Sequence, residues 1–372
     1  MRALQGTVFA LILAIVPLIM VAQEAAPRKD AIKAYTPIEA RLTIGEHDAE
    51  VTIHGRNENG ISIWVKGDPE TARRRIAVAN ITETQFLLDI DFNALSKAEF
   101  AKNWAGAVRL LTPAISPTLP YLDLMENNAT ELALHLGTFM YRNAERSGRR
   151  AKTEAKRQIV QKQYNKAYIV FRRVSSADWH RAGKIAALKR LLCLIRIGKP
   201  KTALHYYKSI EEPMPGEAAY GTYFLVAAEL ALQRQDYRAA MLAACRSLTL
   251  ENKDIDTFPD ALLIAAQCYE ELQEWHRARD VYFEVAKIFP STEWSEMARR
   301  RLAYIAQKEL TTGKEKLPIQ NVFFAWTEDM NERVAELLEG DEARPDSVDE
   351  DVNPDGKPKE VYDKDVDLDV NE

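Results

Sequence analysis

The spacing of hydrophobic residues divides this chain into a part with a period of two and a part with a helical period. Between residues 37 and 93, apolar and polar residues alternate over short stretches. Such alternation is typical of half-buried β-strands. Between residues 96 and 308, apolar residues recur every three or four positions, which is typical of helices with one buried face. We therefore expect a small β-domain at 37–93 and a helical domain at 96–308.

The first part contains four or five predicted strands separated by turn sequences. The candidate strands are 41–44, 50–53, 61–65, 75–78 and 86–90. An Asn59-Gly60 pair marks one turn, and Gly67-Asp68-Pro69 marks another. This number of short strands in about 55 residues resembles a small SH3-like or Sm-like barrel.

The helical part repeats a pattern in which a small residue precedes an aromatic residue by four positions. Ala203 precedes Tyr207, and Ala278 precedes Tyr282, with Pro290 at the end of that unit. A third small residue, Ala240, lies 37 residues after Ala203 and 38 before Ala278. Small residues allow two helices to cross closely, and a single helical hairpin cannot bury its apolar face without neighbours. The repeat therefore predicts stacked helical hairpins.

These positions resemble the tetratricopeptide repeat (TPR) family, a class of mainly α proteins that form a solenoid of helical hairpins. The resemblance covers residues 104–308, and the segment 289–294, Phe-Pro-Ser-Thr-Glu-Trp, is similar to TPR proteins of bacterial cell envelopes. It implies an α-solenoid that binds other proteins, preceded here by the β-domain. Thr292 is a predicted N-cap for a helix at 293–307, similar to the capping helix that ends TPR arrays.

The two ends of the chain have different compositions. An uncharged apolar run at 8–22 follows Arg2, so residues 1–25 are a predicted signal peptide or N-terminal anchor, with an exported, periplasmic or inner-membrane-anchored protein as the consequence. A last amphipathic helix is predicted at 318–338. Residues 340–372 hold thirteen Asp or Glu and four Lys or Arg, which predicts a disordered acidic tail.

The TPR resemblance implies that the first helix of each hairpin lines a concave groove. The expected lining residues are Leu188, Leu192 and Arg196, then Thr222, Leu225, Glu229 and Gln233, then Asp260, Leu263, Gln267, Glu270 and Glu271. Within each set the spacings of three and four place the side chains on one helical face. The face is mixed apolar and acidic, so we expect an apolar or basic peptide as the ligand. The alternative is that some leucines pack internally and the charged residues are only solvated.

A second predicted surface is basic. Residues 142–173, most of which we expect in one long helix, contain eleven Lys or Arg and two Glu. The candidate basic surface comprises Arg142, Arg146, Arg149, Arg150, Lys152, Lys156 and Arg157. It is either a solvated helix face or a site for an anionic partner, such as an acidic protein or a membrane surface. A further hypothesis is that the acidic tail covers it transiently.

Composition and residue spacing give no support for catalysis, a cofactor or a metal site. Hydrophobic residues make up 47% of the chain and the net charge is −5, so a sizeable core is possible and no partner class is excluded. The three cysteines, Cys193, Cys245 and Cys268, lie at apolar helical positions without metal-ligand spacing. No nucleophile elbow, phosphate-binding loop or HExxH motif occurs.

The leading hypothesis is an exported, non-enzymatic scaffold that binds protein or peptide partners through the groove, with a role in cell-envelope assembly or trafficking following from the resemblance. The alternative is a nucleic-acid-binding protein that uses an Sm-like barrel and the basic helix, although export argues against it. A third possibility is an enzyme with an unrecognised site in the β-domain. A small-molecule substrate is not expected.

Overall fold

The computed structural model describes residues 32–69, 72–249, 257–290 and 292–308, which form an antiparallel sheet followed by helices. The strands are β1 (Lys33–Ile44), β2 (His47–Arg56), β3 (Gly60–Val65), β4 (Arg74–Ala77) and β5 (Ile81–Phe86), in the sheet order β4-β3-β2-β1-β5. The helices are α1 (Phe92–Phe100), α2 (Trp104–Ile115), α3 (Thr130–Arg150), α4 (Glu154–Val174), α5 (Arg181–Ile197), α6 (Pro200–Lys208), α7 (Tyr220–Gln233), α8 (Tyr237–Thr249), α9 (Phe258–Glu271), α10 (Trp275–Ile288) and α11 (Glu293–Gln307). The predicted sequence of a small β-domain and then a helical domain is confirmed.

The sheet follows the alternating pattern of its sequence. Ile38, Ala40 and Leu42 of β1 are buried while the residues between them are exposed. The hairpin from β1 to β2 turns at Gly45, whose φ of +64° favours glycine. Strand β5 pairs with the other side of β1, so β1 is an interior strand and β4 and β5 form the edges of the sheet.

The predicted Asn59-Gly60 turn is present, but Asn57 organises it. The Asn57 side-chain oxygen accepts a hydrogen bond from the Gly60 backbone N–H at 2.9 Å, and the Asn57 N–H donates to the Gly60 carbonyl at 2.9 Å. A Cβ on Gly60 would lie 3.0 Å from the Ile76 carbonyl oxygen. Glycine is therefore favoured here by the close approach of β4.

The sheet and most of the helices share a hydrophobic core, which joins residues such as Ile53 to Leu111 of α2. Parts of α9, α10 and α11 form a second buried cluster. The Asn128 amide pairs with both backbone groups of Phe86, at 2.9 and 3.0 Å, and so occupies part of the β5 edge. Arg56 donates to the Asp123 carboxylate at 2.9 Å and to the Pro120 carbonyl. The β-domain is thus fixed to the start of the helical domain.

The small and aromatic residues of the repeat pattern lie where the pattern predicts. Ala203, Ala240 and Ala278 are completely buried in α6, α8 and α10. Tyr207 and Tyr282 are almost completely buried as well. The predicted helix at 293–307 is confirmed as α11, and Thr292 caps it by accepting a hydrogen bond from the Ser295 N–H at 3.3 Å.

The basic stretch 142–173 is divided between two helices. Most of it lies in one long helix, as predicted, because α4 holds residues 154–173, but its first part lies in α3, which ends at Arg150. The Thr153 side chain accepts from the Lys156 N–H and caps α4. The extended backbone of Thr153 interrupts the helical path. Its side chain then satisfies a free N–H in the first turn of α4, which favours the start of a new helix.

The helices pack in sequence, and alternate helices also meet. Each helix from α3 onward contacts the next one, and α3, α5, α7, α9 and α11 contact each other in succession. The run curves far enough for its ends to touch. The Trp104 indole of α2 donates to Glu293 of α11 at 3.1 Å, and Arg142 of α3 donates to Asp260 of α9 at 2.6 Å.

Three predicted segments, 1–25, 318–338 and 340–372, lie outside the described residues. Within the described ranges, no helix combines the length and apolar character that a bilayer crossing requires.

Candidate binding cleft

A cleft of about 450 Å³ lies on the inner side of the helical array, where α3, α5, α7, α9 and α11 approach each other. Its lining is mixed in character, with charged, amide and apolar side chains. The lining residues are Glu145, Gly148, Arg149, Tyr164, Arg196, Glu229, Leu232, Gln233, Asp260, Leu263, Ile264, Gln267 and Met297. Ligand-binding clefts fall in this range of volume, although their lining is usually more apolar.

Arg196 of α5 connects two carboxylates of neighbouring helices. Its two terminal nitrogens donate to the two oxygens of Glu229 on α7, one of them at 2.8 Å. The same guanidinium lies 3.8 Å from Glu145 on α3. Glu145 and Glu229 are both more than nine-tenths buried. Bidentate pairing of this kind fixes the relative positions of the helices.

Arg142 of α3 continues this network on the other side of Glu145. It donates to Glu145 at 2.8 Å and to Asp260 at 2.6 Å, and its guanidinium lies 5.0 Å from the Trp294 ring centre. The Trp294 indole N–H donates to the other Asp260 oxygen at 2.7 Å. Three carboxylates, Glu145, Glu229 and Asp260, therefore share two guanidiniums.

This arrangement perturbs the ionisation of its members. Burial raises the pKa of the Asp260 carboxyl above its ordinary value, although the Arg142 charge opposes this and Glu145 adds to it. Burial alone would lower the pKa of Arg196, but Glu229 and the other acidic groups around it raise that pKa well above its ordinary value. Burial also raises the pKa of Tyr141 and Tyr164 beside the network.

Arg149 differs from Arg142 and Arg196 because no carboxylate pairs with it among the described residues. It lies on the cleft wall, and its Nη1 atom is buried without a hydrogen-bond partner there. Glu145, one turn earlier on the same helix, is held by Arg142 and approached by Arg196. Arg149 therefore brings an unsatisfied donor to the cleft.

The predicted groove residues separate into two groups. Five of them are buried between packed helices and do not line the cleft: Leu188, Leu192, Thr222, Leu225 and Glu270. A sixth, Glu271, is exposed outside the cleft. The other six predicted residues are brought together in the cleft lining: Arg196, Glu229, Gln233, Asp260, Leu263 and Gln267. Three of the four predicted leucines therefore pack internally, which is the alternative that the sequence left open. Glu270 instead accepts from Tyr282 at 2.9 Å and pairs with Arg301.

The predicted basic surface also separates. Arg142 is 4% exposed and belongs to the buried network, Arg146 is half-buried and donates to the Lys102 carbonyl at 2.9 Å, and Arg149 lies in the cleft. The four residues Arg150, Lys152, Lys156 and Arg157 are exposed at the end of α3 and the start of α4. Expecting Arg142 on the surface was wrong, because two carboxylates stabilise its charge inside the array.

The cleft residues that the sequence did not reveal come mainly from other helices. Glu145, Tyr164 and Met297 line the cleft, yet they come from α3, α4 and α11, outside the three hairpins used for the groove prediction. Leu232 and Ile264 were missed on α7 and α9 themselves. Glu145 carried one signal, since it is one of only two acids in the basic stretch and lies three residues after Arg142.

A second, smaller cavity of about 360 Å³ lies between the sheet and the helices. Tyr35, Arg56 and Asp123 are among its lining residues. Arg56 and Asp123 bond to each other there, so the charged groups at this boundary serve mainly to hold the two parts together. Among the described residues, no group of three His, Cys, Asp or Glu side chains is placed to hold a metal ion.

The chain matches no model of a known protein family, and no curated protein is significantly similar to it.

Proposed function

We propose that this protein is a non-enzymatic scaffold of the TPR-like kind, in which the cleft holds an extended segment of a partner protein. The likeness to a TPR solenoid is supported by the contacts that α3, α5, α7, α9 and α11 make in succession. A solenoid presents its alternate helices along one inner face in this way. The strand order β4-β3-β2-β1-β5, with a 3-10 helix before β5, likewise suits an SH3-like β-domain.

The observation that carries the proposal is the mixed lining of the cleft. Gln233 and Gln267 are exposed on it, and their amides can donate to and accept from a peptide backbone. Leu232, Leu263 and Met297 add apolar contact area beside them. Polar groups with apolar neighbours provide both direction and contact area for an extended chain.

The pairing of the charged groups favours binding over catalysis. Glu145, Glu229 and Asp260 are held by arginines within hydrogen-bond or ion-pair distance, which gives each a structural partner. The nearby Cys193 thiol is completely buried, and burial raises its pKa, so it is a poor nucleophile.

Nucleic-acid binding is less favoured than protein binding. Of the seven predicted basic residues, Arg142 is used inside the array, Arg146 bonds to a backbone carbonyl and Arg149 lines the cleft. Of the seven, four remain exposed, which together with Lys162 and Arg173 is a small footprint for a phosphate backbone.

The proposal is tested by selecting binders from a random peptide library on the full-length chain and comparing two variants. Gln267→Trp fills the cleft from α9, and Gln158→Trp places the same side chain on the exposed face of α4. Selected peptides are expected to lose binding to the first variant and keep binding to the second, measured by fluorescence anisotropy. If no selected peptide distinguishes the two variants, the cleft is not the binding site.

A further inference from the structure

Arg149 is the cleft residue whose bonding is incomplete. Its Nη1 is buried and has no partner within the described residues, although the side chain as a whole is only partly buried. A donor that is buried without a partner is unfavourable, so Arg149 would be stabilised by an acceptor that its guanidinium can reach in the cleft.

The neighbouring carboxylates do not supply that partner. Asp260 accepts from Arg142 and Trp294, and both Glu229 oxygens accept from Arg196. Glu145 accepts from Arg142 and lies close to Arg196. Counting Arg142, three guanidiniums and three carboxylates surround the cleft, so their charges balance. The acids already accept from Arg142 and Arg196 or lie close to them, so the Arg149 guanidinium offers an incoming group its hydrogen-bond donors rather than an excess of positive charge.

We propose that Arg149 is a subsite for a carboxylate of an acidic peptide segment bound in the cleft; this inference rests on the proposed function. A guanidinium can donate two parallel hydrogen bonds to a carboxylate. The Asp and Glu side chains of an acidic peptide provide such carboxylates. The amides of Gln233 and Gln267 on the same cleft can bond to the backbone of that segment. This chemistry differs from the apolar or basic ligand that the sequence predicts.

The chain itself contains a segment of this chemistry. Residues 340–372 hold thirteen Asp or Glu. Helix α11 contributes Met297 to the cleft and ends ten residues later, about 15 Å along the helix axis. The 31 residues between 308 and 340 can span on the order of 100 Å when extended, so the length of chain permits the acidic segment to reach Arg149. A partner protein with an acidic segment is the other source.

The experiment measures binding of a synthetic peptide of residues 340–372 to full-length chains by isothermal titration calorimetry. The reference receptor has the thirteen tail acids replaced by Asn or Gln, which removes the competing segment. In that background, Arg149→Gln is expected to weaken peptide binding about tenfold or more, and Arg149→Lys by an intermediate factor. The matched control, Arg150→Gln, removes the exposed charge next to Arg149 and is expected to change binding less than threefold.

The two sources give different results with the natural tail. If the tail occupies the cleft, the unaltered chain binds the peptide more weakly than the reference receptor; if a partner is the source, the two bind it equally, and the subsite is supported in either case. Equal losses for Arg149→Gln and Arg150→Gln, or no binding by a receptor whose unfolding midpoint is unchanged, would overturn the proposal. Peptides from the library selection that still depend on Gln267 would then leave the proposed function standing.

Discussion

At the scale of single residues, the cleft is organised by two arginines that each serve two carboxylates. Arg196 joins Glu229 to Glu145, and Arg142 joins Glu145 to Asp260. Such buried pairs add little net stability over apolar residues of the same size, but removing one partner is costly. The network therefore determines which helices lie next to each other more than how stable they are.

Replacing Arg196 by methionine is expected to destabilise the protein by about 3–5 kcal/mol, because Glu229 and Glu145 are left buried without its charge. The measurement is urea denaturation followed by circular dichroism. The control is Arg300→Met, which breaks an exposed pair with Glu296 and is expected to cost less than about 1 kcal/mol. Similar losses in the two variants would mean that the network is not a buried structural unit.

The raised pKa of Asp260 predicts a specific pH dependence. The folded protein holds this proton to a higher pH than the unfolded chain does, so the Asp260 contribution to stability falls as the pH rises above the ordinary Asp value of 3.8. Unfolding free energies of the wild type and Asp260→Asn are compared between pH 4 and 7. We expect the wild type to lose stability relative to the variant as the pH rises; a relative gain would show that Arg142 lowers this pKa instead.

At the scale of elements, close backbone approaches fix how helices begin and pack. Gly183 lies in the first turn of α5, where a Cβ would meet the Ala177 carbonyl oxygen at 2.1 Å. Gly137 of α3 faces the Phe171 ring of α4, with a Cβ at 2.7 Å. The first contact involves backbone and cannot be relieved by a side-chain rotation.

Gly183→Ala is expected to destabilise the protein by about 1–3 kcal/mol, because the start of α5 must move away from residue 177. Gly148→Ala is the matched control, since its Cβ would meet only the Val160 side chain, at 3.3 Å, and alanine favours a helix interior. Thermal unfolding of both variants tests this. Equal stability of the two variants would contradict the close approach at residue 177.

The sequence predicted the elements that depend on local pattern. The alternation in β1, the buried Ala203, Ala240 and Ala278, and the Thr292 cap were all readable, because each follows from the period of a strand or helix or from a capping side chain. The break before α4 was missed, since Thr153 is a weak signal inside a run of good helix formers.

The contacts that shape the cleft were not readable from the sequence. Trp104 and Glu293 are 189 residues apart, and Arg142 and Asp260 are 118 apart. Such pairs depend on how far the array curves, which is the sum of many small rotations between helices. For the same reason, the sequence placed Arg142 on the surface and Leu188 in the groove, although both are buried.

At the scale of the whole molecule, the described helices form a curved array whose ends touch, with a cleft on its inner side. The β-domain is fixed to the start of this array through Asn128 and Arg56. The contacts of α2 with α11 and of α3 with α9 hold the two ends of the array together, so the cleft is bordered by both ends. A partner bound there would contact helices that are far apart in the sequence.

The most direct test is hydrogen–deuterium exchange of the full-length chain with and without a peptide obtained by library selection. The account predicts slower exchange on binding in the C-terminal halves of α3, α5 and α7 and in α9, the segments that contain Arg149, Arg196, Gln233 and Gln267. Protection confined to the exposed start of α4 or to the strands β1–β5, with these cleft segments unchanged, would contradict it.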